Sequence, residues 1–402
     1  MTSPVRIIIG DVRDGLRSLA AGSVQCCVTS PPYWGLRDYG VDGQIGLEAT
    51  PERFVETMVE VFGEVRRVLR DDGTLWLNMG DSYFGGGRGG NPEESEYRKQ
   101  ATNKGSLVAS PNWKKITCGL KPKDLCMMPW RVAMALQADG WWLRSVICWH
   151  KRSPMPESIS DRPTSSWEPI FLLAKRDRYY YDAEAVKERL TDEAVKRQAY
   201  GFKNMYGGII EANQHVENRK RSDAKSYGAD YIPGGRNMRN VWSLSAEPYS
   251  EAHFATFPSE IPRRAIRAGT SEKGCCPACG APWERVVERT NMVIEPSGRD
   301  GRIPGNGQRS TSGTMVEPPS QRTVGWTPGC ACPPSDPVPC VVLDPFLGSG
   351  TTIAAARQLG RHGVGIELNP TYADMARVRI GKAEKPHTFA DHREPEEKGL
   401  FA

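Results

Sequence analysis

The stretch VVLDPFLGSGTTIAAARQLGRHGVGIEL, from Val341 to Leu368, alternates apolar runs with a glycine turn and a helical pattern. Val341 to Leu343 predicts a short buried strand, and Gly348-Ser349-Gly350 predicts a tight turn after it. Thr351 to Leu359 predicts a helix, and His362 to Leu368 predicts a second strand. A helix between two strands is the repeating unit of a parallel sheet. The stretch therefore predicts an α/β fold with a mostly parallel sheet and helices on both faces.

The N-terminal part of the chain shows the same alternation. Residues 5–9 and 24–29 predict strands, and Pro51 begins an amphipathic helix that Asp72-Gly73 is expected to end. Residues 74–79 predict the next strand. The further predicted elements are a helix at 129–138 and strands at 141–149 and 169–174. This order of elements supports the same α/β prediction.

The glycine turn has the composition of a nucleoside-binding loop. Small residues let a ligand approach the backbone, and the helix N-terminus behind them can face a negative group. Asp344 ends the first strand, and Glu367 ends the second, where an acidic side chain can accept both hydroxyls of a ribose. No lysine follows the glycines, so a triphosphate loop is not indicated. The pattern predicts a nucleoside cofactor without a triphosphate.

A second stretch places rigid and aromatic residues directly behind a predicted strand. Residues 23–29 form an apolar run, and Ser30-Pro31-Pro32 ends it, because proline fixes its own φ and lacks an N–H. Tyr33 and Trp34 are then held at a strand end, which is where ligands bind in an open α/β sheet. The alternative interpretation is a turn that only ends the strand.

Composition narrows the class of protein. The chain has 402 residues, of which 39% are hydrophobic and 25% charged, as in globular proteins. No run approaches the roughly 18 apolar residues of a membrane span, and MTSPVRIIIGD lacks the apolar core of a signal peptide. We therefore expect an intracellular protein with no membrane partner. A net charge of +5 is mild, so nucleic-acid binding has to be argued locally.

Two polar segments interrupt the alternating pattern. Residues 85–123 hold 8 Lys or Arg against 3 Asp or Glu, and residues 184–240 hold 11 against 8. The second segment also carries aromatic residues among its basic ones: Tyr200, Phe202, Tyr206, Tyr227 and Tyr231. Basic and aromatic side chains together are typical of a nucleic-acid surface, whereas polar composition alone is typical of solvated loops. Both interpretations stay open, and the charge favours DNA contact.

The cysteines suggest a metal site. Eleven cysteines is an odd number, and without an export signal a disulfide framework is not expected. Four of them form two close pairs: Cys276, Cys279, Cys330 and Cys332. Two thiolate pairs suit a tetrahedral structural zinc, with residues 296–326 looped out between them. The second pair is spaced more tightly than usual, so unmetallated thiols are the alternative to a small zinc-ribbon-like module.

Two motifs carry a resemblance to a known family. DPFLGSGTT resembles the S-adenosylmethionine loop of the amino-group DNA methyltransferases, and SPPYW resembles their catalytic motif. The catalytic motif comes first and the cofactor motif last, which resembles the order of the beta class. Other similar segments are GDVRDGL, DGTLWLNMGD, WHK and HFATFPSEIPRRAI. The resemblance implies a Rossmann-like methyltransferase fold, interrupted here by the polar insertions and the zinc-ribbon-like module.

The resemblance also implies roles for individual residues. The implied catalytic set is Ser30, Pro31, Pro32 and Tyr33. The implied cofactor-binding set is Asp11, Asp344, Pro345, Phe346, Gly348, Ser349, Gly350, Thr351 and Glu367. Tyr33 would stack on a flipped base, while the Ser30 hydroxyl and the Pro31 carbonyl would accept hydrogens of its amino group. Cys26 and Cys27 lie ahead of the prolines and are expected to be buried apolar residues rather than nucleophiles.

The substrate and partners follow from the same resemblance. Serine at position 30 resembles the N4-cytosine branch, and N6-adenine methylation is the alternative. The implied partners are double-stranded DNA and a cognate restriction endonuclease, in the cytoplasm of a bacterial or phage-infected cell. A non-catalytic DNA-binding protein would need neither motif. An RNA or small-molecule methyltransferase would share the cofactor loop without needing the large polar insertion.

The chain divides into eight expected segments. Residues 1–84 form the catalytic half of the methyltransferase domain, residues 124–183 continue that domain, and residues 336–383 form its S-adenosylmethionine-binding half. The others are a basic insertion at 85–123, a target-recognition region at 184–250, a leading segment at 251–274, a zinc-binding insertion at 275–335 and a tail at 384–402.

Overall fold

The computed structural model describes residues 4–36, 40–84, 118–154, 156–157, 159–188, 235–245, 247, 257–289, 293–296, 313–317 and 321–383. The expected basic insertion lies outside this part from 85 to 117. The expected target-recognition region lies outside it from 189 to 234, at 246 and from 248 to 250, and the expected tail lies outside it entirely.

Twelve strands and six helices are found within the described part of the chain. The strands are β1 (Val5–Ile9), β2 (Val24–Thr29), β3 (Leu69–Asn78), β4 (Trp142–Lys151), β5 (Trp167–Ala174), β6 (Val241–Leu244), β7 (Trp283–Arg289), β8 (Val293–Pro296), β9 (Gly313–Glu317), β10 (Gln321–Pro328), β11 (Val341–Asp344) and β12 (His362–Glu367). The helices are α1 (Val12–Arg17), α2 (Pro51–Val68), α3 (Met128–Ala138), α4 (Glu260–Gly269), α5 (Thr351–Gln358) and α6 (Pro370–Lys382).

The first of two compact units contains an eight-stranded sheet in the order β1-β12-β11-β2-β3-β5-β4-β6. The first five strands of this order are mutually parallel. β5 runs antiparallel to both of its neighbours, and β6 is parallel to β4. The predicted mostly parallel α/β sheet is therefore confirmed. Because parallel strands end on one edge, the residues that follow β1, β2, β11 and β12 are brought together there.

Helices cover both faces of this sheet, as predicted. Cys27 packs into the core that contains α1, α2 and α3, whereas the Cys26 sulfur lies 4.0 Å from the Ala265 carbonyl oxygen of α4. Neighbouring residues of a strand point to opposite faces, so the two cysteines serve two cores. Both are fully buried, and burial raises the pKa of Cys26 to about 12. The expectation that both cysteines are buried is confirmed.

Several element boundaries differ from the prediction. The helix that begins at Pro51 ends at Val68 rather than near Asp72-Gly73, because Leu69 has an extended backbone and pairs with Val24 of β2. β4 continues past its predicted end to Lys151, and β5 begins earlier, at Trp167. The two extensions pair with each other across the antiparallel ladder, which single-strand patterns do not reveal.

The second compact unit comprises Ala183–Met238 and Glu284–Thr327. Within its described residues, β10 pairs with β7, and β8 pairs with β9 in antiparallel register. The Arg285 guanidinium lies 4.3 Å from the centre of the Trp326 ring. Across the described residues of the whole chain, no helix combines the length and apolar character that crossing a membrane requires.

Gly350 makes the sharpest backbone demand in the glycine turn. Its φ is +83°, and a Cβ added to it would lie 2.9 Å from the Ala376 Cβ of α6. We expect Gly350→Ala to lower the free energy of unfolding by about 2–4 kcal/mol, since it adds a strained φ and a clash with a packed helix. Gly381→Ala is the matched control, because no atom lies within 4 Å of an added Cβ there. Denaturant titrations that gave equal stabilities for the two variants would contradict this assignment.

Candidate active site

A cavity of about 360 Å³ opens where the parallel strands end. Every residue expected to act in catalysis or cofactor binding lines it, with the exception of Gly350. Gly350 is instead the N-cap of α5, and its side of the turn packs on α6. The strands thus bring the SPPYW stretch and the glycine turn into one space, although more than 300 residues separate them in the chain.

The glycine turn is tied to the neighbouring strand by a carboxylate. Glu367 Oε2 accepts a hydrogen bond of 2.7 Å from the Gly348 N–H, and Oε1 accepts one of 2.9 Å from the Asn369 N–H. Burial raises the pKa of this carboxyl group. Each carboxylate oxygen retains a second lone pair, so the group can still accept hydroxyl hydrogens from a ligand in the cavity.

A residue that the sequence analysis missed also holds the turn. Arg379 Nη1 donates to the Ser349 hydroxyl over 2.9 Å and to the Thr351 hydroxyl over 2.7 Å. Arg379 lies on α6, in an otherwise ordinary exposed helix pattern, so no local signal pointed to it. It fixes the orientation of the Ser349 and Thr351 hydroxyls in the glycine turn and at the start of α5.

Asp344 is a buried carboxylate at the end of β11. Thr29 donates a hydrogen bond of 2.7 Å to Asp344 Oδ1, and the Phe346 N–H donates one of 3.2 Å to the same atom. Loss of hydration outweighs these bonds and raises the pKa of Asp344 to about 6. A carboxylate held there without a cation costs stability, and a positively charged ligand group in the cavity would offset that cost.

Asp11 lies just after β1 and caps the N-terminus of α1. Its side chain caps α1 by accepting a 2.8 Å hydrogen bond from the Arg13 N–H, and it pairs with the Arg13 guanidinium at 2.9 Å. The hydrogen bond from the Arg13 side chain is the main reason that its pKa is lowered. Capping and ligand contact are compatible, because Asp11 also lines the cavity.

The SPPYW stretch forms the other wall of the cavity. Trp34 is buried and donates a 2.9 Å hydrogen bond to the Glu48 carbonyl, which anchors the loop. Tyr33 packs so closely on Gly80 that an added Cβ there would lie 2.4 Å from its ring. Burial, followed by the nearby Glu168 charge, keeps the pKa of Tyr33 well above its usual value. Tyr33 is therefore a neutral phenol that can donate one hydrogen bond.

Four further lining residues contact one another beside this stretch, and none of them was expected to act in the site: Asn78, Trp149, Lys151 and Glu168. Tyr33 donates a 3.0 Å hydrogen bond to Glu168, which forms an ion pair with Lys151. The Lys151 ammonium also lies 5.0 Å from the centre of the Trp149 ring. Lys151 belongs to the WHK segment of the resemblance. Its partner Glu168 lies 17 residues further along the chain, at the start of the next strand, and was not part of the resemblance.

The four predicted zinc ligands are brought together in the first compact unit. The sulfur atoms of Cys276, Cys279, Cys330 and Cys332 all lie within 4.8 Å of one another. Amide N–H groups of Cys279 and Ala278 lower the pKa of the Cys276 thiol to about 6. With zinc–sulfur bonds of about 2.3 Å, a tetrahedral site separates its sulfur atoms by roughly 3.8 Å. The cluster therefore fits one tetrahedral metal ion after small side-chain movements.

Comparison with known proteins identifies the family. The family model described as DNA methylase matches residues 24–276 and 338–378. The chain belongs to the DNA methylase family. Type II methyltransferase M.Cfr9I of Citrobacter freundii is 37% identical over 371 residues, or 92% of this chain and 86% of the relative. Type II methyltransferase M.SmaI of Serratia marcescens is 36% identical over 379 residues, or 93% of this chain and 90% of the relative.

A solved structure supports the fold of this methylase. The PvuII DNA methyltransferase (cytosine-N4-specific) is similar with a TM-score of 0.51 over 99% of this chain and 90% of that one. Its sequence identity of 15% makes this a likeness of fold alone. The Rossmann-like methyltransferase fold is thus confirmed.

The methylase should lose stability as Asp344 ionises. Its pKa of about 6 lies above the unfolded value of 3.8, so the folded state holds the proton more tightly. Stability without cofactor should then fall between about pH 4 and 6, by on the order of 3 kcal/mol. Asp344→Asn should remove this slope and be the more stable protein at pH 7.5. Denaturant titrations across pH test this, with exposed Asp14→Asn as control, and an unchanged slope in Asp344→Asn would refute it.

Proposed function

We propose that this DNA methylase transfers the methyl group of S-adenosylmethionine to N4 of cytosine at a specific sequence in double-stranded DNA. The observation that carries the proposal is the single cavity that joins Ser30, Pro31 and Tyr33 to the glycine turn and Glu367. A protein that only bound DNA would not need the glycine turn and the Ser30-Pro31-Pro32 segment in one cavity. N6 of adenine is the alternative target.

The residues of the glycine turn fit the cofactor. Glu367 would accept the ribose hydroxyls, and Asp344 has the charge to pair with an ammonium group once ionised. Asp11 would contact the adenine, and Phe346 would supply apolar contact. Pro345, Gly348, Ser349 and Thr351 complete the wall, while Gly350 shapes the turn. When bound, the cofactor supplies an electrophilic methyl group on a sulfonium.

The other wall would act on the target base. An exocyclic amino group is a poor nucleophile, because its lone pair is delocalised into the ring. Hydrogen bonds from the amino group to the Ser30 hydroxyl and the Pro31 carbonyl would favour a more tetrahedral nitrogen. Pro32 helps to keep that carbonyl rigid and brings no competing N–H. The Tyr33 ring would stack on the base after it is flipped from the duplex, a step that costs a few kcal/mol.

Serine at position 30 favours cytosine over adenine. Its hydroxyl is short and neutral, and Ser30 resembles the N4-cytosine branch of the family. Several relatives carry the name type II methyltransferase, which supports sequence-specific modification alongside a restriction endonuclease in a bacterial cytoplasm. We also propose that DNA is contacted by the basic segments 85–123 and 184–240, that target recognition lies in 184–250, and that the chain divides into the segments given above.

The purified methylase should convert cytosine in DNA to N4-methylcytosine. Incubation with S-adenosylmethionine, digestion to nucleosides and mass spectrometry identify the product. Glu367→Ala should need at least about tenfold more cofactor for half-maximal methylation and recover at saturation, because it loses ribose contacts. Glu64→Ala on α2 is the control, since its partner is Arg67 outside the cavity. N6-methyladenine as product would establish the alternative, and the absence of any methylated base would overturn the proposal.

We also propose that the four clustered cysteines hold one structural zinc ion in a zinc-ribbon-like module at 275–335. Four sulfur atoms within 4.8 Å support this, because closed thiolate sites are typical of structural zinc. Unmetallated thiols would have no reason to converge from two chain segments about 50 residues apart.

Zinc should copurify with the methylase at about one atom per chain. Cys279→Ser together with Cys330→Ser should lose the metal and lower the melting temperature. Cys148→Ser is the matched control, because this half-exposed cysteine lies on β4 away from the cluster. Elemental analysis of unchelated protein that found no metal, or full metal content in the double variant, would refute the site.

A further inference from the structure

A chain of hydrogen bonds leads from the proposed catalytic hydroxyl to an ion pair. The Ser30 hydroxyl oxygen lies 3.3 Å from the Tyr33 hydroxyl oxygen. The Tyr33 hydroxyl lies 3.0 Å from Glu168 Oε2, and Glu168 Oε1 pairs with the Lys151 ammonium. All four residues line the cavity. This hydrogen-bond chain decides whether the Ser30 hydroxyl donates or accepts, because each hydroxyl group has only one proton to donate.

A phenol has one proton to donate, and an ionised carboxylate can only accept. Tyr33 therefore donates to Glu168 at 3.0 Å, the nearer of its two acceptors, since Asn78 Oδ1 lies 3.5 Å away. The Tyr33 oxygen is left to accept a hydrogen bond. Between two hydroxyl groups, the donor is then Ser30. Because the Ser30 proton is committed to Tyr33, the lone pairs of Ser30 are free to accept a hydrogen from a group in the cavity. Because the Glu168 carboxylate can only accept, it determines which group donates in each hydrogen bond of this series.

We infer that Glu168 is a positioning residue that makes the Ser30 hydroxyl an acceptor toward the amino group of the target base. The inference rests on the proposed function, in which Ser30 accepts an amino hydrogen. A Ser30 hydroxyl free to rotate could point its proton at the amino nitrogen, where it would engage the lone pair that has to attack. Orienting this proton away from the base keeps the lone pair available.

Two paired strands and a neighbouring amide hold Glu168 in place. Lys151 lies at the end of β4 and Glu168 near the start of β5, where these strands pair and Trp149 lies opposite Glu168. Asn78 Nδ2 donates to Glu168 Oε2 over 3.4 Å and to the Pro169 carbonyl over 3.3 Å. The pair comes from two rigid strands, which suits a fixed orientation better than a loop would.

Glu168→Gln should exchange donor and acceptor in each hydrogen bond from residue 168 to Ser30. Lys151 would attract the amide oxygen of the new side chain, so the amide NH₂ would face Tyr33 and donate to it. Tyr33 would then donate to Ser30, whose own proton would turn toward the base. We expect the single-turnover rate at saturating DNA and cofactor to fall about 10- to 100-fold, while the S-adenosylmethionine dissociation constant changes less than about twofold.

Tyr33→Phe removes the hydroxyl that connects Ser30 to Glu168 and keeps the aromatic ring that would stack on the base. It should slow the same step about tenfold or more, and adding Glu168→Gln to it should cause no further loss, because Glu168 would have no hydroxyl to orient. A merely structural ion pair would instead slow the enzyme by the same factor in both backgrounds. Glu260→Gln is the control, since Glu260 forms a comparably half-buried pair with Arg264 on α4, outside the cavity.

The outcomes separate this inference from the proposed function. If the wild-type protein methylates no amino group, the proposed function fails and the inference fails with it. If it methylates DNA but Glu168→Gln does so at the wild-type rate, or if the two losses multiply, only the inference is overturned. Should Glu168→Gln not fold, Tyr33→Phe decides, because a wild-type rate there overturns the inference and a tenfold loss supports it.

Discussion

The hydrogen bond between Thr29 and Asp344 is the interaction on which the site depends. It joins the ends of β2 and β11 over 2.7 Å, between residues 315 positions apart in the chain. The two strands pair in parallel, with Val342 opposite Cys26 and Leu343 opposite Cys27. Beyond this ladder, β2 ends at Thr29 and leads into SPPYW, while β11 ends at Asp344 and leads into the glycine turn. A shift in register would separate the two halves of the cavity and turn each side chain to the other face.

The acceptor in this hydrogen bond, Asp344, is an unfavourable group to keep in the core. Asp344 is buried, and the loss of hydration raises its pKa. Thr29 and the Phe346 N–H compensate only part of that loss. A neutral side chain would satisfy the sheet better, so the carboxylate is best explained by the cavity that it faces. Under the proposed function, stability is given up where a charged side chain would contact the cofactor, as is common where ligands bind.

The sequence indicates the parts of this architecture that local rules control. The glycine turn, the proline-ended strand and the amphipathic helix from Pro51 all follow from backbone restriction and apolar spacing, and the structure has them where they were expected. The pairs Lys151–Glu168 and Arg379–Ser349 could not be predicted in the same way. Each joins residues from different elements, and an isolated charged residue near a strand or helix end looks like any exposed one. Strand pairing creates those contacts, and pairing is not encoded in a single segment.

The cysteine cluster contacts the opposite end of the same two strands. Gln25, near the start of β2, donates a 3.2 Å hydrogen bond to the Gly280 carbonyl beside the cluster. Its side-chain oxygen accepts a 2.6 Å bond from the Val341 N–H at the start of β11. Ser30 lies five residues further along the chain, or about 16 Å at the rise of an extended strand. A metal ion held there would be too far away to touch a base or cofactor in the cavity. Its effect on methylation would therefore be through the pairing of β2 with β11, the same pairing that brings Thr29 to Asp344.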